Sequence, residues 1–90
     1  MELRQLRYLV ALDEERNFTR AATREHIAQP ALSQQIRRLE EETGVGLVER
    51  TTRRVNLTDA GEALVARARR ILAEVQSART AHVWTLRDGT

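Results

Sequence analysis

Pro30, Ser33, Gln34 and Arg37 stand at i, i+3, i+4 and i+7, the spacing that aligns side chains along one face of an α-helix. Leu32, Ile36 and Leu39 fall nearly opposite. One face is apolar, while the other offers a hydroxyl, an amide and a guanidinium. Such groups can read base edges in a DNA major groove, where an amide pairs with adenine and a guanidinium with guanine or phosphate. Gln29 adds a second amide at the head of the segment, and Pro30 offers an apolar surface to a thymine methyl. An ordinary amphipathic helix with a solvated outer face has the same pattern, so the stripe alone does not decide.

Charge narrows the choice. The net charge is only +2, and all fifteen cationic side chains are Arg, which makes the isoelectric point of about 10.3 exaggerate the basicity. Distribution says more than the total. Residues 16–38 carry five Arg against Glu25 alone, and residues 39–49 carry four Glu and no Arg. Arg50, Arg53 and Arg54 then follow within five positions. Segregation of this kind suits a nucleic-acid footprint, although solvated surface helices also show it. Glu40, Glu41 and Glu42 come directly after Arg37, Arg38 and Leu39. Three carboxylates pressed on phosphates are unfavourable, so only the front half of the helix can enter a groove. Arg37 with Glu41 and Arg38 with Glu42 are expected to pair at i, i+4.

The elements that must position these residues follow from periodicity and punctuation. Leu3, Leu6, Leu9 and Val10 predict a first helix over residues 2–14. Thr19 is the expected N-cap of a short second helix ending near Glu25 or His26, with Ala21 and Ala22 permitting close packing. A tight turn leads to a third helix with Pro30 in its first turn, running over residues 30–43 and stopping at Gly44. Val45, Leu47 and Val48 and then Val55-Asn56-Leu57 read as two short strands, with a hairpin tip over residues 51–54. Thr58 caps a long helix reaching about residue 86, with Asp59 and Glu62 in its first turn. The expected architecture is mainly α: a winged helix-turn-helix of three helices and a two-stranded wing, followed by a long helix.

Read together, Asn17-Phe18-Thr19-Arg20-Ala21-Ala22, Ile27-Ala28-Gln29-Pro30-Ala31-Leu32-Ser33 and Ile36-Arg37-Arg38-Leu39-Glu40 resemble the LysR-type transcriptional regulators. Gly44-Val45-Gly46-Leu47-Val48-Glu49-Arg50 and Leu57-Thr58-Asp59-Ala60-Gly61 continue the match. The resemblance implies a DNA-binding domain over residues 1–57, a dimerising linker helix over 58–87 and, at 88–90, the start of a hinge to an effector-binding domain outside this chain. It implies no cofactor in these residues and a small-molecule effector for the missing domain. Carried over by position, it puts Gln29, Pro30, Ala31, Ser33 and Gln34 in the major groove and Thr19 and Arg37 on phosphates. Arg50, Arg53 and Arg54 become the wing's basic set, reaching a minor groove that suits guanidinium groups where it is narrow and A·T-rich. The implied partner is duplex DNA with a partly palindromic site of the form T-N11-A, bound by a homodimer and, at full length, a tetramer. Three positions depart from the family pattern. Ala28 replaces a frequent Ser, Gln34 a frequent Arg, and Glu25 a buried Leu, so that the Glu25 carboxylate must reach solvent or pair.

Leu64, Ala68, Ile71, Val75, Ala78 and His82 alternate at spacings of four and three, a heptad seam suited to a second chain. Leu72, Val65 and Val83 widen the stripe enough to pack on the winged domain as well. A helix folded back onto its own domain is the rival reading.

Several classes are excluded or disfavoured. Ninety residues fit one domain, and 41% apolar content argues against disorder. Without cysteine there is no disulfide, thiolate metal site or Cys nucleophile. His26 and His82 are far apart and lack companion ligands, Gly44-Val45-Gly46 lacks the Lys-Ser/Thr of a phosphate loop, and Ser33 has no His in reach. No enzyme is expected. The longest apolar run, Tyr8 to Leu12, is far short of the roughly 20 residues of a membrane span. No secretory leader is visible, so the expected compartment is the cytoplasm. A protein-binding winged helix remains the serious alternative, since the fold serves that role too.

Overall fold

In the computed structural model, the described residues are 1–50 and 54–88, with side chains to residue 81. The element order is α1 (Leu3–Glu15), α2 (Phe18–Arg24), α3 (Gln29–Thr43), β1 (Val48–Glu49), β2 (Asn56–Leu57) and α4 (Asp59–Asp88). This is the winged helix-turn-helix with a long following helix that the pattern predicts.

Helix α1 is the central element, packed by α2, α3 and α4. Leu6, Tyr8, Leu9, Val10, Ala11 and Leu12 are all buried, which explains why its apolar pattern is wider than a single stripe. Gln5 Oε1 accepts from the Glu2 N–H at its start, 3.0 Å away. At its end Arg16 takes the left-handed conformation, φ 55°, and turns the chain into α2.

The N-cap of α2 is Asn17 rather than Thr19, which corrects the sequence expectation. Asn17 Oδ1 accepts from the Arg20 N–H at 2.9 Å. Both residue types cap well, but the left-handed Arg16 leaves Asn17 extended and lets the helix begin at Phe18. His26, at φ 59°, makes the turn that redirects the chain. Pro30 then sits in the first turn of α3, and Gly44 closes that helix at φ 76°. Leu32, Ile36 and Leu39 are fully buried beneath it.

The wing pairs Val48 with Leu57 and Glu49 with Asn56 in antiparallel register. Its first strand is shorter than expected, because Val45 is exposed and stands outside it. The reason lies in the amides: the Leu47 and Val48 N–H groups bond the Glu40 carboxylate instead of extending a ladder. Thr51, Thr52 and Arg53, expected at the hairpin tip, lie outside the described residues, as do residues 89–90 of the expected hinge.

Helix α4 starts as predicted. Thr58 Oγ1 accepts from the Gly61 N–H at 3.0 Å and donates to the Gly46 carbonyl at 2.7 Å. Val65 and Ala68 are buried in the core, with Leu64 and Leu72 packed against its edge. Arg69 fastens the helix further, bonding Asp13 at 2.8 Å and pairing with Glu14. Arg24 of α2 joins the same cluster through Glu14 and Glu15. Among the described residues no helix is long and apolar enough to cross a membrane.

Candidate nucleic-acid interface

The face of α3 opposite its buried leucines is open. Gln29, Pro30, Ala31, Gln34, Arg37 and Arg38 are exposed and Ser33 is half-buried. Two hollows flank the helix. One, of about 430 Å³, brings Thr19 from α2 together with Gln29 and Ser33 from α3 and Arg50 and Val55 from the wing. The other, of about 420 Å³, gathers Pro30, Gln34, Arg37, Arg38 and Glu41. Thus Thr19, Gln29 and Ser33 share one flank, while Gln34 and Arg37 share the other. Gln29 Nε2 donates to Ser33 Oγ across one turn, at 2.9 Å.

Arg37 and Arg38 make no ion pair among the described residues, so the expected bonds to Glu41 and Glu42 do not form. Pairs of that kind are worth only a few tenths of a kcal/mol, too little to fix long exposed side chains. Glu42 pairs instead with the Met1 ammonium group. The open face of the helix therefore keeps its positive charge at mid-length.

Glu40 is the residue that sequence reasoning misread as one of three outward carboxylates. It turns back beneath the helix end, where its side chain is only 16% exposed. Its Oε2 accepts from the N–H groups of Leu47 at 2.8 Å and Val48 at 3.3 Å, and its Oε1 from Arg50 at 2.7 Å. Burial pushes the carboxyl upward, but the Leu47 amide, the Arg50 guanidinium and the Val48 amide outweigh it and hold it below the usual carboxylate range. Arg50, expected in the wing's basic set, is thereby held on Glu40. Arg54 is exposed at the wing, and Arg53 lies outside the described residues.

Glu25 is only 14% exposed and finds a partner in Arg7 of α1, whose Nε is 3.1 Å away, with Arg24 at 3.9 Å. Ala28 stands at the N-cap of α3 with no side-chain bond, as its methyl group requires.

Along α4 the expected seam divides. Ala68 is fully buried within its own chain, while Leu64, Leu72 and Val75 are half-buried. Ile71 is 39% exposed and Ala78 is exposed. The side chains of His82 and Val83 lie outside those described. Among the described residues no cluster of three or more His, Cys, Asp or Glu could hold a metal ion.

Residues 3–62 match the bacterial regulatory helix-turn-helix proteins of the lysR family. The chain is 57% identical over 76 residues to the DNA-binding transcriptional dual regulator OxyR of Escherichia coli strain K12, covering 84% of the chain and 25% of that protein. It is 62% identical over 73 residues to the HTH-type transcriptional regulator BudR of Klebsiella aerogenes, covering 81% and 51%. Among solved structures, a BenM_DBD/catB site 1 DNA complex superposes with a TM-score of 0.93 at 44% identity, covering 96% of each chain. The chain thus spans about a quarter of the length of several curated relatives it matches.

Proposed function

The chain belongs to the lysR family of bacterial regulatory helix-turn-helix proteins, and we propose that it is the reading head of a transcription regulator, binding a specific duplex DNA site. The front half of α3 enters the major groove, where Gln29, Pro30, Ala31, Ser33 and Gln34 meet base edges. Thr19 and Arg37 hold the flanking phosphates, and Arg54, with Arg53, reaches the minor groove. One observation carries the reading: a polar, cationic edge stands open along a helix whose other face is fully buried. The likeness to a chain solved in complex with DNA supports it.

Residues 1–57 form the head and 58–87 the linker that pairs two copies. Leu64, Ile71, Leu72, Val75 and Ala78 supply that seam, with Ala68 facing inward to α1. Two heads on one dimer then address successive major grooves about 34 Å apart on a partly palindromic site of the T-N11-A form. The whole regulator, assembling as a tetramer in the cytoplasm, answers a small-molecule effector bound outside these residues.

The test is a titration with duplex DNA at two salt concentrations. Affinity for a cognate site should fall steeply with salt, and Arg37→Ala should reduce the slope of log affinity on log salt by about one unit per head, roughly two for the dimer. A protein-binding winged helix would show neither behaviour. Sedimentation of the chain at high concentration checks the seam; a monomer throughout would count against it.

A further inference from the structure

We infer that Glu40 is the positioning residue that locks the wing to the recognition helix, and that Arg50 acts through it rather than on DNA. This rests on the DNA-binding reading above.

Glu40 lies one turn before the end of α3, and the Gly44 N–H that closes the helix bonds its carbonyl at 2.8 Å. The chain then passes through Gly46, where an added Cβ would lie 4.0 Å from Glu40 Oε2. Leu47 is held from both sides: its N–H on Glu40, and its carbonyl on the Thr58 N–H at 3.0 Å. Glu40 thus ties the base of β1 to the recognition helix, and Thr58 ties it to the start of α4. The third bond, from Arg50, crosses from the far end of β1 and fixes the direction in which the strand leaves. Bonds to a carboxylate are stronger than neutral ones, and three converge on this one, two of them short. A two-residue ladder alone is a weak hinge. The carboxylate turns it into a bracket with a set angle, and that angle decides whether wing and helix fit one duplex together.

Arg50 has a different consequence. A guanidinium committed to a carboxylate adds little net charge toward a phosphate. Its value to binding is geometric, and its removal should leave the salt slope alone.

The experiment uses the full chain and a duplex it selects from a random pool. Adenines are replaced either by 7-deazaadenine, which removes a major-groove acceptor, or by 2,6-diaminopurine, which adds a minor-groove amine. Wild type should weaken with both. Glu40→Gln keeps an amide acceptor and loses the charge that holds Arg50; Glu40→Ala loses all three bonds. Both should bind about tenfold more weakly, lose the diaminopurine effect and keep the deazaadenine effect. Arg50→Met, which leaves the two amide bonds of Glu40 intact, should shift the same way with an unchanged salt slope, and it carries the test if the Glu40 variants do not fold. Equal loss of both base effects, or retention of both, would overturn the assignment of Glu40. A shallower salt slope in Arg50→Met would place Arg50 on phosphate and overturn it equally. If wild type selects no duplex, the DNA reading itself falls and takes this one with it.

Discussion

Gln29 and Ser33 are joined side chain to side chain along α3, the amide nitrogen of one donating to the hydroxyl oxygen of the other at 2.9 Å. The bond orients the Gln29 carboxamide before any ligand arrives. Its oxygen and its second N–H remain available, the pair an adenine edge requires. Gln29→Ala should cost about 1–3 kcal/mol on the cognate duplex and little on random DNA. Ser33→Ala should weaken the same discrimination by less. Competition binding against a base-substituted series measures both, and equal losses on every sequence would contradict this arrangement.

Glu25 occupies a nearly enclosed position and is satisfied by arginines whose own side chains are largely in water. Ion pairs of that type contribute about 1 kcal/mol at most. A leucine of similar size at the same burial gains about 1.5–3 kcal/mol. Glu25→Leu should therefore raise the melting temperature by about 4 °C, read by circular dichroism. An unchanged or lower value would mean that Arg7 accommodates the carboxylate fully.

Gly61 has no room for a side chain. A Cβ there would meet the Leu47 carbonyl oxygen at 2.1 Å, a backbone atom that cannot rotate away. Gly61→Ala should destabilise the fold by about 3 kcal/mol, because α4 must back off the Leu47 backbone that Glu40 holds. Urea unfolding checks this, and a loss below about 0.5 kcal/mol would show that the contact yields easily.

Acid should loosen the structure at Glu14 and Glu40. Glu14 is lowered by its bonds from Arg69 and Arg24, against some desolvation. Glu40 is lowered despite burial by the Leu47, Arg50 and Val48 donors. A carboxyl with a depressed folded pKa contributes stability above its unfolded value, about 4.5, and loses it as pH falls through the folded one. The melting temperature should thus be nearly flat down to about pH 5 and drop below pH 4.5. Glu40→Gln should flatten part of that drop; a curve identical to wild type would remove Glu40 as a contributor.

Local signals carried most of the architecture. Gly44 and Thr58 mark their helix ends by chemistry that acts within one turn, and the leucine stripe of α3 reports its buried face directly. The Asn17 cap was harder to see, because choosing between two good caps depends on the left-handed Arg16 that precedes them. Glu40 was invisible for a related reason. Its neighbours Glu41 and Glu42 are exposed, and nothing in a run of three identical residues says which one meets a segment seven to ten positions on. The Arg69 cluster with Asp13 and Glu14 had no local signal at all, since its partners are more than fifty residues apart. For the candidate site, residue types picked out in advance the face of α3 that the fold leaves open. The struts behind that face emerged only from the fold.

The fastening of α4 to α1 has a mechanical consequence. A helix of 30 residues is about 45 Å long, and its near half is clamped by Val65, Ala68, Arg69 and Leu72. A rod clamped at one end delivers any tilt imposed at the other to whatever grips it. Because α1 also packs on α3, the far end of α4 is mechanically coupled to α3, and a tilt applied there is passed on to the open face that carries Gln29.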